Sequence, residues 1–116
     1  MNVKELLITE LQKFSDNVFL QGTFNPNDDY PASFITFWTD YTFDISHYNN
    51  DVHSVAWNFS VIFYSSNPKE LLKIPFEIIA DLKQVGFIPQ GKGNDIPSDE
   101  PTHTGWAMEF IYKENI

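Results

Sequence analysis

The sequence predicts a single α+β domain, in which a small antiparallel or mixed sheet with a long β-hairpin is flanked by two helices in the order α-β-β-α-β. Three segments alternate apolar and polar residues, which is typical of strands with one buried face. Two other segments carry apolar residues at helical spacing behind N-capping signals. The 116 residues, 42% of them hydrophobic, suit one domain with a packed core.

The first predicted element is an amphipathic helix over residues 2–14. Asn2 and Glu5 have the spacing of a capping box, which places the start of the helix at Asn2. Residues 15–33 follow and are predicted to be irregular, although Phe19, Leu20 and Phe24 could pack a short extended piece. The apolar stripe of the helix consists of Val3, Leu6, Leu7, Leu11 and Phe14.

The clearest strands cover residues 33–46 and 54–65. Large apolar residues occupy the odd-numbered positions of both, so each strand is expected to have one buried and one wetter face. Because the two apolar faces must coincide, paired residues are expected to have numbers with an even sum.

A three-residue loop over residues 49–51 satisfies this condition with pairs that sum to 100. Phe43 then lies opposite Trp57. The same register places His47 opposite His53 near the tip of the hairpin.

The second predicted helix begins at Asn67, which serves as N-cap, with Pro68 in the first turn. It ends at Gly86, a residue suited to a helix C-terminus. Pro75 lacks the amide that would bond to the preceding turn, so a kink or a restart of the helix is expected there.

Residues 88–104 contain three Pro and two Gly and are predicted to form a long polar loop. Two interpretations stay open: the loop is mobile and orders against a partner, or it is rigid and packs on its own domain. The last predicted strand covers residues 105–113, where apolar and polar residues alternate again.

The charge of the chain argues against nucleic-acid binding. The formal net charge is −9, and all seven basic residues are Lys. Arg is the usual bidentate partner of phosphate and guanine, and the chain has none. The chain also has no Cys, which excludes disulfides and thiolate chemistry. No apolar run is long enough for a membrane helix, so we expect a cytoplasmic protein that does not enter a membrane.

Two groups of polar residues are candidates for a metal site or a pH-sensitive contact. The first, Asp95, Asp99, Glu100 and His103, has ligand types that suit divalent metals, but its spacing matches no calcium-loop or zinc pattern. A solvated acidic loop is therefore favoured. The second group, His47 and His53, is expected at a solvated hairpin tip, where ordinary polar side chains are favoured over a metal pair or a pH-sensitive contact. We predict no catalytic residue, no metal site and no cofactor.

Several short motifs occur in a familiar order between residues 20 and 112. They are Gln21-Gly22-Thr23, Tyr30-Pro31, Phe34 to Trp38, Tyr48 to Asp51, Trp57-Asn58-Phe59, Phe63-Tyr64-Ser65, Asn67-Pro68, Gly86-Phe87, Gly91 to Asp95, and Asp99 to Gly105. In this order the sequence resembles the tail-completion proteins of long-tailed phages and prophages, which are also called tail-terminator or tail-to-head joining proteins.

The resemblance implies a structural role rather than an enzymatic one. Such proteins form a ring, often a hexamer, at the head-proximal end of the tail, where they stop polymerisation of the tail-tube protein and dock onto the head connector protein. DNA passes through the ring without specific binding, and no small-molecule substrate is implied. The protein would occupy the bacterial host cytoplasm before assembly and the tail of the virion afterwards.

Position alone indicates which residues contact partners or other copies of the chain. The expected contacts lie at the hairpin tip and in the polar loop: His47, Asn49, Asn50, Asp51, His53, Asn94, Asp95, Asp99, Glu100 and His103.

Two other functions fit the composition. One is a small acidic inhibitor that mimics DNA and binds a host protein, in which case a monomer or dimer is expected. The other is a small metal-dependent hydrolase that uses the cluster within residues 95–103, in which case a concave site and tight metal binding are expected.

Overall fold

The computed structural model describes residues 2–15, 17–20, 32–48, 51–97 and 102–115. These residues form an α+β fold with two helices and a long β-hairpin, as the sequence predicts. In chain order the elements are α1 (Val3–Leu11), β1 (Val18–Leu20), β2 (Ser33–Tyr48), β3 (Asp51–Ser65), α2 (Pro68–Gln84), β4 (Phe87–Pro89), β5 (Asn94–Pro97) and β6 (Thr104–Asn115).

The strands form one sheet with the order β1-β2-β3-β6-β4, and β5 also pairs with β6. Only β1 and β2 are parallel among the pairs that the structure describes. Both helices pack on the same face of the sheet, which we call the helix face; the opposite face is the second face. The core between the helices and the sheet consists of Val3, Leu7, Leu11, Ile35, Phe37, Phe59, Val61, Phe63, Ile78, Leu82, Phe87, Met108 and Phe110.

The N-terminal helix begins where the sequence predicts. The side chain of Asn2 accepts a hydrogen bond of 2.8 Å from the amide of Glu5, and its own amide group donates to the Glu5 carboxylate. The first of these bonds satisfies a backbone amide of the first helical turn that otherwise lacks a partner, and the second joins two side chains. The helix ends at Leu11, three residues earlier than the predicted boundary at residue 14.

The second helix runs from Pro68 to Gln84 without interruption, so the expectation of a restart at Pro75 is wrong. Pro75 removes one backbone hydrogen bond, but its ring is fully buried, and this burial offsets part of the loss. At the N-terminus, the Ser65 hydroxyl accepts from the amide of Asn67 and donates to the carboxylate of Glu70. Glu70 therefore completes the cap through Ser65 rather than by direct contact with the N-cap amide.

The hairpin has the predicted even-sum register from Ser33 to Thr39 and again at Ser46, which pairs with Ser54. From Ser33 to Thr39 the paired residues sum to 98, for example Phe37 with Val61. After Thr39 the register shifts, and Phe43 pairs with Ala56 rather than with Trp57. Successive residues of a strand point to opposite faces, so this shift places Phe43 and Trp57 on opposite faces of the sheet. The predicted Phe43–Trp57 pair is therefore wrong.

The tip of the hairpin also differs from the prediction. Tyr48 pairs with Asp51, so Asp51 is a strand residue and the three-residue loop is wrong. His47 pairs with Val52, and the predicted pairing with His53 is wrong as well. Further register shifts beside Ser46 account for the difference.

The polar segment before the last strand is more regular than predicted. Residues Phe87–Pro89 and Asn94–Pro97 form short strands that both pair antiparallel with β6. The prediction of a polar loop throughout residues 88–104 is therefore wrong. Pro89 and Pro97 each stand at the end of a short strand, where the missing amide is tolerated. Over residues 88–97 this segment packs on its own domain.

A charged cluster joins the two helices. Lys13, just after α1, lies 2.9 Å from Glu10 Oε1 and 3.4 Å from Asp81 Oδ1 on α2. The hydrogen bond from Lys13 lowers the pKa of the buried Glu10 carboxyl. Burial raises the pKa of Asp81, and the nearby Glu10 raises it further. One oxygen of Asp81, Oδ2, is buried with no hydrogen-bond partner in the described part of the chain.

The contributions of Glu10 and Asp81 to the stability of the fold should change with pH in opposite directions. Because the folded-state pKa of Asp81 lies above its ordinary value of 3.8, ionised Asp81 weakens the fold near neutral pH. Protonation removes this cost as the pH falls through the raised pKa. Glu10 instead contributes stability above its ordinary pKa of 4.5, which is lost as the pH falls through the lowered pKa.

We therefore expect Asp81→Asn to raise the free energy of unfolding at pH 7, with a gain that shrinks as the pH falls through the raised pKa of Asp81. Glu10→Gln should lower the free energy of unfolding at pH 7. Urea denaturation of both variants and the wild type, at pH 7 and at several lower values, measures these differences. A lower stability of Asp81→Asn at pH 7 would contradict the direction of the Asp81 pKa.

Candidate interaction surface

The predicted contact residues fall at opposite ends of the sheet. The hairpin tip, where Tyr48 pairs with Asp51, forms one end. The other end is formed by the start of β6 and by β5, where Thr104 pairs with Pro97. The 16 residues of β2 run between these ends and span ~50 Å at ~3.3 Å per residue. The molecule is correspondingly long, with a greatest extent of 54 Å. The two groups therefore do not form one site.

At the hairpin end, the backbones of His47, Asp51 and His53 belong to β2 and β3. Asn49 and Asn50 lie outside the described residues. At the other end, Asn94 and Asp95 are exposed on β5.

His103 is buried, unlike a residue expected to contact a partner. Its ring lies 5.9 Å from the ring of Phe34, and Nδ1 shares a hydrogen bond of 2.9 Å with the hydroxyl of Thr102. Asp99 and Glu100 lie outside the described residues. Asp95 shares the helix face with its pairing partner Trp106, whereas Phe34 and His103 lie on the second face. Asp95 and His103 therefore do not converge on a common point.

The structure exposes two aromatic residues that the sequence pattern assigns to the buried face. Tyr41 pairs with Asn58 and Phe43 with Ala56, so both rings lie on the second face. Tyr41 is 54% exposed and Phe43 is 46% exposed. The two rings stack with centroids 6.0 Å apart. We call Tyr41 and Phe43 the hairpin patch.

Asp40 is the extra residue that shifts the register ahead of the hairpin patch, since Thr39 pairs with Phe59 and Tyr41 pairs with Asn58. One oxygen of its carboxylate accepts a hydrogen bond of 2.8 Å from the indole of Trp38. The other accepts a hydrogen bond of 2.6 Å from the hydroxyl of Ser60 on β3. The carboxylate thus links both strands of the hairpin and fixes the bulge at this residue. No signal in the alternating sequence identifies this insertion, because Asp44 is likewise an acid at an even-numbered position of the strand and pairs regularly with Val55.

Replacement of Asp40 by Ala should lower the free energy of unfolding by about 1–2 kcal/mol, because two hydrogen bonds to a carboxylate are lost. Urea denaturation measures the change. Glu109→Ala is a suitable control, since Glu109 is an exposed acid on β6, in the pairing row of Ser60. Equal effects of the two substitutions would show that the Asp40 carboxylate does not hold the bulge.

A second exposed apolar group lies on α2. Leu72 is 77% exposed and Phe76 is 41% exposed, one helical turn apart. The ring of Phe76 lies 5.8 Å from that of Trp106 on β6. Trp106 is held in turn by a hydrogen bond of 2.8 Å from its indole nitrogen to the carbonyl oxygen of Lys92.

The turn before β5 is closed by Gly93, which has a positive φ of 96°. A Cβ atom at this position would clash with the carbonyl oxygen of Ala107 and with the indole of Trp106. Gly91 also has a positive φ, but a Cβ atom there would meet no atom within 4 Å. Substitution of the two glycines by Ala therefore distinguishes the cost of backbone strain, which applies at both positions, from the cost of a steric clash, which applies only at Gly93.

We expect Gly93→Ala to cost more than about 2 kcal/mol of stability, because backbone strain and a clash with the sheet act together. Gly91→Ala should cost only about 1 kcal/mol, from backbone strain alone. Thermal denaturation of both variants, together with the fluorescence of the three Trp residues, tests this difference. Equal costs would mean that β5 is not held closely against β6.

A small cleft of about 210 Å³ lies between the N-terminus of α1 and the end of β6. This volume is below the ~300–1,000 Å³ of common small-molecule sites. Within the described residues, no group of three or more His, Asp or Glu side chains is arranged to hold a metal ion. No helix in the same part of the chain is both long and apolar enough to cross a membrane. The cleft is lined by Asn2, Val3, Leu6, Tyr112, Lys113, Glu114 and Asn115.

No known protein-family model matches the sequence, and no curated protein matches it.

Proposed function

We propose that this chain is a structural subunit of a phage tail, which forms a ring at the head-proximal end, terminates growth of the tail tube and joins the tail to the head. The observation that carries the proposal is the hairpin patch, Tyr41 and Phe43. Two stacked, half-exposed aromatic rings on a long hairpin are suited to contact another protein.

The length of the molecule supports the same role. A joining protein must contact different partners on opposite sides, and the two ends of the sheet lie ~50 Å apart. Asn94 and Asp95 are exposed at one end, and the hairpin tip forms the other. In the proposed assembly, the tail-tube protein and the head connector contact opposite sides of the ring.

The edge of the sheet also supports assembly. On its outer edge, β2 pairs with β1 only from Ile35 to Phe37. Within the described residues, no strand pairs with this edge between Trp38 and Tyr48. Unpaired edge strands favour association with other chains, and a closed ring can cover such edges.

The charge of the chain suits a ring through which DNA passes without being held. Each subunit has a net charge of −9 and no Arg, so a ring of subunits repels phosphate. Before assembly the subunit would reside in the bacterial host cytoplasm, and afterwards in the tail of the virion.

The proposal can be tested with the tail-tube protein of the phage or prophage that encodes the chain. Tubes polymerised from purified tail-tube protein grow without a defined length; addition of this protein should stop their growth and leave a ring at one end, as seen by negative-stain electron microscopy. Tubes bearing the ring should then bind purified heads that carry the connector.

A variant with Tyr41→Ser and Phe43→Ser serves as a matched control. Both side chains are exposed, so the variant should fold but fail to form the ring or to stop tube growth. Unchanged tube growth in the presence of the wild-type protein would refute the proposal. If the wild type also stays a monomer or dimer in solution and binds a host protein that recognises DNA, the function is that of a DNA mimic.

A further inference from the structure

The outward-facing side of α2 carries a stripe of two apolar residues and three Lys residues. Leu72 and Phe76 are the two apolar residues. Lys69, Lys73 and Lys83 are the Lys residues, and all three are exposed. We call these five residues the helix stripe.

The stripe is basic because Lys69, Lys73 and Lys83 lie at helical spacing on the side of α2 that carries Leu72 and Phe76. Glu70 accepts a hydrogen bond from Ser65, and Asp81 lies in the cluster with Lys13. Glu77 is the exposed acid of the helix, and it pairs with Lys73 at 3.6 Å. The three acids of α2 lie to one side of the stripe, so the stripe is locally positive on a protein whose net charge is −9.

The hairpin patch has the complementary character. Tyr41 and Phe43 are apolar and about half exposed. Between Lys13 and Lys69 the chain has no Lys or Arg, so both strands of the hairpin lack a permanent positive charge. Among the described residues of the second face, the exposed acids Asp40 and Glu109 outnumber Lys113. Asp44 pairs with Val55 and therefore lies on the helix face. An apolar contact framed by opposite charges is the usual composition of a specific interface.

The two patches cannot meet within one chain. The hairpin patch lies on the second face of the sheet, because its residues pair with Asn58 and Ala56. The helix stripe belongs to α2, which packs on the helix face. The sheet therefore separates the two surfaces, and only a second molecule can bring them together.

We propose that the hairpin patch of one copy docks onto the helix stripe of a second copy. The contact is heterologous: each copy offers a different surface to each neighbour, so repetition closes a ring when the rotation per subunit permits. This inference rests on the ring of the proposed function and specifies its interface.

Crosslinking in the cysteine-free chain tests the interface directly. Phe43→Cys and Leu72→Cys are prepared as separate variants, each with one thiol at an exposed position, and mixed at equal concentration with a short bifunctional thiol reagent. The mixture should give a dimer that contains one copy of each variant, identified by mass spectrometry. Each variant alone should give no dimer above the level of Lys4→Cys, an exposed position on α1.

Efficient dimers of Phe43→Cys alone or of Leu72→Cys alone would indicate a contact between identical patches and would overturn the inference. A mixture that gives no more dimer than Lys4→Cys would overturn it as well.

Charge reversal provides an independent measurement. Lys69→Glu with Lys73→Glu should reduce the mixed crosslink at least tenfold, because the stripe then repels the acidic hairpin. Lys4→Glu reverses a charge outside the stripe and should leave the yield unchanged. Equal reduction by both changes would show that net charge, rather than the stripe, controls association.

These results can be separated from the test of the proposed function. If the wild-type protein stops tube growth but the two Cys variants give no mixed crosslink, the function stands and this interface is wrong. If the mixed crosslink forms but tube growth is unaffected, the copies associate as inferred and the assigned function is wrong.

Discussion

The carboxylate of Asp40 determines where the hairpin changes its register, and the character of both faces follows from it. Trp38 and Ser60 hold the carboxylate by hydrogen bonds on the second face. The extra residue then exchanges the faces of Tyr41 to Asp44 relative to a regular strand, until a further register shift before Ser46 reverses the exchange. Without the exchange, Tyr41 and Phe43 would continue the row of Ile35 and Phe37 on the helix face. With it, they emerge on the opposite side.

Acidic residues have two distinct roles in this domain. Glu10, Asp40, Glu70 and Asp81 each bond to a named partner and join one element to another. Glu10 and Asp81 share one cation, Lys13, whereas the partners of Asp40 and Glu70 are neutral donors and leave the charge of these carboxylates in place. The net charge of −9 lies outside α2, where three Lys residues balance three acids. The Lys residues of α2 share the side of the helix that carries Leu72 and Phe76, which makes one surface of a strongly acidic protein locally basic.

The sequence was sufficient for features set by local chemistry. The caps at Asn2 and Asn67 depend on side chains within a few residues, and both helices begin as predicted. It was insufficient where distant pairing decides the outcome. The strands at Phe87–Pro89 and Asn94–Pro97 form because β6 supplies hydrogen-bond partners, which no local signal in a segment rich in Pro and Gly reveals.

The same limit applies to the interaction surface. Alternation along residues 33–46 predicts that Tyr41 and Phe43 are buried, and it fails because one residue is inserted at Asp40. Leu72 and Phe76 fit the apolar spacing of α2. They are nevertheless exposed, because the apolar face of the helix is wider than the part of it that packs on the sheet. In both places apolar character was visible in the sequence, whereas its exposure depends on tertiary geometry.

Self-repulsion gives the proposed contact its orientation. Two copies with a charge of −9 each repel one another, so apolar exposure alone would not select a unique arrangement. Hairpin against hairpin places acid against acid, and stripe against stripe places Lys against Lys. Hairpin against stripe is the arrangement in which charge and apolar surface are both complementary. Unfavourable like-charge pairs thus exclude the symmetric dimers, and specificity arises as much from repulsion as from attraction. Because the two surfaces lie on opposite faces of one sheet, each added copy leaves one surface of each kind exposed until the chain of subunits closes.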